Sequence, residues 1–196
     1  MKLTCSCRNR SRSDTHENTG RRALLGLAAF AVLAPLVGGL AGCSERADDG
    51  QSLAAVEFTA ATACELDGML LADYPGPKAQ ILYAGARDPV YFCDTVEMFN
   101  MLLRPEQVRK VLAVYVQDMG RADWERPRGQ WMDAKTGVYV VGSKRHGSMG
   151  PTVASFSQEA DAKVFVEKWG GKLLRFSEVT PELVDLSGGA LHDTRM

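Results

Sequence analysis

The chain has 196 residues, with 23 Lys and Arg against 24 Asp and Glu and a formal charge of −1. That length accommodates one domain or two small ones. A charge balance so close to neutral gives no electrostatic reason to expect nucleic acid as a partner.

Near the N-terminus, Arg21 and Arg22 stand directly before an uncharged stretch, residues 23–41. This is the layout of an export signal. The stretch is long enough to span a bilayer, but its Ala, Gly and Pro content suits a permanent membrane helix poorly. It ends in Leu40, Ala41, Gly42 and Cys43, which resembles a bacterial lipobox, in which the chain is cut before the cysteine and the thiol of Cys43 is acylated. The paired arginines with Leu24 and Leu25 also resemble a twin-arginine signal, although Gly20 and Ala23 match it loosely. The expected organisation is a signal peptide over 1–42 and a lipid-anchored linker over 43–53, with an uncleaved anchor helix as the alternative. Residues 44–52 are short, polar and charged, the composition of a flexible tether. The mature chain then has 154 residues, 17 basic and 22 acidic, a formal charge of −5. It is expected in the periplasm, held to a bacterial membrane by lipid.

From about Ala54 the chain reads as α+β, as two tandem duplicated ββαβ units. Residues 79–84 and 89–94 are β-branched and aromatic runs in a hairpin-like arrangement. A helix follows, with Thr95 able to cap it and Met98, Met101 and Leu102 on one face, and residues 111–119 close the unit as a strand. After a charged connector over 121–128, strands over 137–143 and 152–157, a helix with a glycine stop over 158–171 and a strand over 172–179 repeat the order. An offset of 64 residues lays Phe92 on Phe156 and Cys93 on Ser157, so an internal duplication is expected. The first unit is placed at 54–120, the second at 129–185, and a tail at 186–196.

Of five cysteines, Cys5 and Cys7 would leave with the signal and Cys43 would carry lipid. Cys64 and Cys93 remain. In an oxidising compartment the plain reading is one disulfide. Against it, Cys64 lies in a Gly-containing loop and Cys93 at a strand end, so geometry must decide.

Enzymatic readings find little support. The mature chain has two histidines, His146 and His192, and neither cysteine stands in a nucleophile elbow or protease signature. A Cys-x-x-Cys pair and a phosphate-cradling glycine loop are lacking. Two cysteines and one well-placed histidine supply a zinc site poorly. The chain is not expected to be an enzyme.

Soft-metal binding accounts for more. Thiolate and thioether ligands select Cu(I), and the mature chain has methionines at 69, 98, 101, 119, 132, 149 and 196. Met101 and Met132 read as packing. Met69, Met119 and Met149 lie in loops or at a strand end, poorly placed for a core, and Met149 is three residues from His146. Met98 is ambiguous.

The stretches Cys64-Glu-Leu-Asp-Gly-Met69 with the following Pro-Gly-Pro turn, residues 92–99, and residues 148–156 together resemble the NosL family over nearly the whole mature chain. The family pattern is a Cys, two residues, a Cys or Asp, then Gly-Met. Here Asp67 takes the fourth position, which excludes two thiols within the loop. The resemblance implies a periplasmic Cu(I) chaperone, with Cu(I) as cargo, delivering copper to nitrous oxide reductase and working beside that enzyme's membrane maturation machinery. It implies Cys64 as thiolate and Met69 as thioether, with Met98, Met119, Met149 or His146 completing a shallow, partly exposed site. Asp67, a hard oxygen donor, is expected to shape the turn. The alternative is a lipid-anchored protein-binding module that docks through residues 73–78, with Cys64 and Cys93 joined in a structural disulfide.

Overall fold

A computed structural model describes residues 52–148 and 150–186. The expected signal peptide, Cys43, the linker as far as residue 51, Met149, His192 and the tail from 187 lie outside the described residues.

The five residues of β1 (Ala79–Tyr83) are all buried, because both faces of this strand are covered. Ile81 and Tyr83 face the main core. Gln80 points the other way, and its amide clamps both backbone groups of Val56 at 2.9 Å, which lays the N-terminal segment across the outer face. The strand is the centre of an antiparallel sheet with β2 (Val90–Phe92) on one side and β3 (Val111–Gln117) on the other. Helix α1 (Thr95–Leu102) connects β2 to β3. Its N-cap is Asp94 rather than the expected Thr95; the Thr95 hydroxyl donates instead to the carbonyl of Val153, in the second half of the chain.

The strand β4 (Trp131–Asp133) pairs with β3 and completes the order β2-β1-β3-β4. These residues were expected in the second unit and belong to the first sheet. The second half contains β5 (Val138–Val141), a hairpin of β6 (His146–Gly147) and β7 (Gly150–Pro151), then β8 (Ala154–Phe156), α2 (Glu159–Trp169) and β9 (Lys172–Arg175). Its main sheet has the order β8-β5-β9, antiparallel throughout. The segment 172–179 is a strand only to Arg175 and then turns into a short 3-10 helix, residues 176–178. Helix α2 stops at Gly170, whose φ of 72° is open to glycine at little cost.

The two halves share a core. Strand β5 reads Val-Tyr-Val-Val, and every residue of it is buried. Val138 and Val140 pack with Trp124, Phe156 and Phe165 in one cluster. Tyr139 and Val141 face the other cluster, with Ile81, Phe92, Phe99 and Val116. Helix α1 packs on β1 and β2 and meets the second sheet through Phe99, edge-on to Tyr139 at 5.0 Å. Enclosed in this way, its residues 95–99 are all buried. Truncating a side chain such as Phe99 to Ala in such a setting costs about 3–5 kcal/mol.

Candidate metal centre

Residues 62–71 double back as a small hairpin. The Cys64 amide donates to the Met69 carbonyl at 2.8 Å, Leu71 to Thr62 at 3.0 Å, and Gly68 to Cys64 at 3.0 Å. The bend needs a positive φ, which Gly68 supplies at 77°. The Asp67 carboxylate accepts from the Met69 amide at 2.9 Å, an Asx-type turn, so Asp67 shapes the loop as expected. A single bond, Glu65 N–H to Tyr91 carbonyl at 2.8 Å, stitches the loop to β2. That places Cys64 beside the residue that follows β2, Cys93.

The second element is the start of α1. Asp94 and Glu97 form a capping box: the Asp94 side chain accepts from Val96 N–H at 3.0 Å, and Glu97 Oε2 accepts from Asp94 N–H at 3.2 Å. The cap turns Glu97 back toward the hairpin, where Oε2 lies 3.1 Å from Cys64 Sγ. Ligand atoms of Cys64, Asp67, Cys93 and Glu97 all lie within 4.8 Å of one another. Cys64, Cys93 and Glu97 are buried and Asp67 is exposed.

Both cysteines are free, so the disulfide of the alternative reading is not formed, although the two side chains are neighbours. Two adjacent thiols share their protons unequally. The Cys93 thiol donates to the Met69 carbonyl at 3.7 Å; its proximity brings Cys64 down to about 6 against the opposing effect of burial, helped by backbone N–H groups such as Leu66 at 3.4 Å. The same contact, with burial, pushes Cys93 far above the usual thiol range. Burial first, and the Cys64 charge second, hold the Glu97 carboxyl up at about 10. The directions agree: of the three neighbouring groups, Cys64 is the one biased toward its ionised form, while Cys93 and Glu97 are biased toward holding their protons. Below them Lys78, fully buried, donates to the carbonyls of Pro75 and Cys93 at 3.0 and 2.9 Å; burial lowers its pKa, and Asp94 foremost opposes that.

The remaining sequence-predicted ligands are distributed elsewhere. Met69 is half-buried and packs on the cluster that holds both thiols, and Met98 is fully buried within that cluster. Met119 packs with the second cluster, and His146 is exposed on β6, its carbonyl taking the Trp124 indole N–H at 3.1 Å. In the docking loop of the alternative reading, Gly76, Pro77 and Lys78 are buried, Tyr74 and Pro75 half-buried and Asp73 exposed. Nor is the site shallow: Cys64 is 4% exposed and Cys93 fully covered.

The fit to a soft cation rests on two features. Two sulfurs and a carboxylate converge in a dry place, and Glu97 Oε1 is the buried side-chain oxygen among the described residues with no hydrogen-bond partner. A cation would satisfy that oxygen, which otherwise costs stability. Glu97 is a candidate ligand that sequence reasoning did not single out, and Cys93 one that it read mainly as a disulfide partner. Their signal was Asp94-x-x-Glu97, a capping box that points the glutamate back at the residue before the cap.

The family model for NosL matches residues 55–184. The chain belongs to the NosL family. It is 40% identical over 177 residues to the copper-binding lipoprotein NosL of Stutzerimonas stutzeri, covering 87% of this chain and 92% of that one. To the copper-binding lipoprotein NosL of Achromobacter cycloclastes it is 36% identical over 159 residues, 79% of this chain and 81% of that one. The crystal structure of the copper chaperone NosL from Shewanella denitrificans superposes with a TM-score of 0.63 at 38% identity, over 67% of this chain and 98% of that chain. A mixed α+β fold is therefore a property of the NosL family that this chain shares.

Proposed function

We propose that the chain is a periplasmic Cu(I) chaperone, anchored to a membrane by lipid on Cys43, that delivers copper for maturation of nitrous oxide reductase. The observation that carries this reading is the meeting of Cys64, Cys93 and Glu97 beneath a short hairpin. Thiolates prefer Cu(I) over hard cations, and the NosL relatives are described as copper-binding lipoproteins and a copper chaperone. Export by residues 1–42, with the paired arginines as a twin-arginine signal, accords with the lipoprotein description of those relatives. The chain acts as a carrier and not as an enzyme, and its partners are the reductase and that enzyme's membrane maturation machinery. We also read the shared orders β2-β1-β3 and β8-β5-β9 as traces of an internal duplication.

In this reading Cys64, already a thiolate, captures the ion. Cys93 binds as its proton leaves, Glu97 contributes an oxygen, and Met69 stands next to Asp67 and Gly68 at the exposed bend. Loading releases protons. Release proceeds from the exposed side of the loop at residues 65–68, where an acceptor's ligands replace these one at a time.

The test is anaerobic Cu(I) titration of the mature chain against a competing chelator. Cys64→Ser should weaken binding by more than the 10- to 100-fold that loss of an outer partner typically costs, because a hydroxyl is hard and protonated. Met69→Ala should weaken it less. Wild-type affinity in Cys64→Ser would refute the site.

A further inference from the structure

We infer that the end of the first sheet opposite the thiol cluster is a docking face for anionic lipid headgroups, which holds the copper loop away from the membrane. The inference rests on the lipid anchor proposed above.

Topology sets the two ends apart by about one short helix, although Glu65 of the hairpin is still near enough to help raise the Tyr83 phenol. Strand β2 runs toward Cys93, and α1 then runs back for eight residues, about 12 Å. At the far end the β1–β2 turn, residues 84–89, meets the segment 103–110 between α1 and β3. The Ala84 amide donates to the Lys110 carbonyl at 2.9 Å, and the Arg109 guanidinium lies over the Tyr83 ring at 3.7 Å. This end carries exposed Arg87, Arg104, Arg109 and Lys110 against exposed Asp88 and Glu106, a positive excess on a mature chain of formal charge −5. Among them stands Val108, 89% exposed, more than any other large apolar side chain among the described residues. A solvent-facing valine that shares a surface hollow with Arg104 and Arg109, beside Glu106 and Gln107, is an apolar and basic combination that suits a headgroup boundary.

The tether leads to the same place. Ser52 lines a surface groove with Gly85, Ala86 and Arg87, so the chain enters the body beside this turn. Eight residues, 44–51, separate Ser52 from Cys43, a reach of at most roughly 30 Å and typically about 17 Å. A lipid on Cys43 therefore brings the basic end to the surface at high local concentration. The hairpin of Cys64 then faces outward, where a soluble acceptor can reach it.

The experiment is hydrogen exchange on the lipidated mature chain in phosphatidylglycerol/phosphatidylethanolamine vesicles, compared with the mature chain carrying Cys43→Ser in solution. Amides at 84–89 and 103–110 should slow at least threefold, with 64–69 unchanged. Arg104→Gln combined with Lys110→Gln, both surface changes, should remove most of that slowing, since each charge contributes roughly fivefold to partitioning, and should leave Cu(I) affinity unaltered. Slowing at 64–69 instead, or equal slowing on phosphatidylcholine alone, overturns the proposal. Slowing confined to native membranes identifies a protein occupant and overturns the lipid assignment. A lipidation-competent wild-type chain that fails to fractionate with vesicles overturns the anchor itself, whereas anchoring without slowing overturns only the docking face.

Discussion

Glu97 serves two partners and lacks a third: it closes the cap of α1 and faces the Cys64 sulfur, and its other oxygen has no donor. Its proton links the site to stability. Held up at about 10, the folded carboxyl keeps a proton that the unfolded chain loses near 4.3. Stability from this group is present below the unfolded value and is lost as pH rises through that window to about 10. Cys64, brought down to about 6, works in the opposite sense: its contribution is present above the unfolded value near 8.5 and lost as pH falls toward 6. Glu97→Gln keeps an oxygen for the Asp94 amide and removes the titration. The metal-free variant should be more stable than wild type by roughly 1–3 kcal/mol at pH 7, with its advantage growing from pH 5 to 8.5, yet bind Cu(I) more weakly. Denaturant unfolding at those pH values reads the first part and chelator competition the second; parallel pH profiles would refute the proton on Glu97. The thiol of Cys64 could be picked out from its motif alone, because its hairpin is local. Cys93 and Glu97 become neighbours of Cys64 only through the pairing of Glu65 with Tyr91, a contact 26 residues apart that no local pattern encodes.

At the level of elements, the N-terminus of α1 is where the halves are joined. The Asp94 carboxylate accepts from Val96 at 3.0 Å, Ser148 at 3.1 Å and the Thr152 hydroxyl at 2.5 Å. The β6–β7 hairpin fits against it because Gly147 has no Cβ; one there would collide with the Asp94 carboxylate. Asp94→Ala should therefore lose a cap, about 1 kcal/mol, and leave several buried donors unpaired, for about 2–4 kcal/mol in all. Asp94→Asn should lose less. Since Cys93 and Glu97 flank this residue, Asp94→Ala should also loosen metal binding, and chelator competition beside thermal unfolding separates the two effects. The major strands and both helices were legible from period and punctuation, since β5 is an unbroken apolar run, β1 is interrupted only by Gln80, and α2 ends on glycine. The strands β4, β6 and β7 were not, being two or three residues long with Gly and Pro among them, too short for any period to show. Thr95 looked like the cap because Asp94 closes an apparent strand; its hydroxyl was needed for a carbonyl in the other half.

For the molecule as a whole, the shared core bears on the proposed carrier role. The two halves do not stand as separate units, because Phe99 of α1 packs on Tyr139 of β5, and the thiols belong to the cluster that joins them. A buried floor under a short, exposed bend accords with the proposed role, in which one ion is held and yielded from one side. Whether two sulfurs share that ion is the central claim, and Cu K-edge X-ray absorption of the anaerobically loaded mature chain measures it most directly. Wild type should show at least two sulfur neighbours at bonding distance, with one lost in Cys64→Ser and one lost in Cys93→Ser. An identical sulfur count in wild type and Cys93→Ser would contradict the shared-thiol site and return the metal to the hairpin alone.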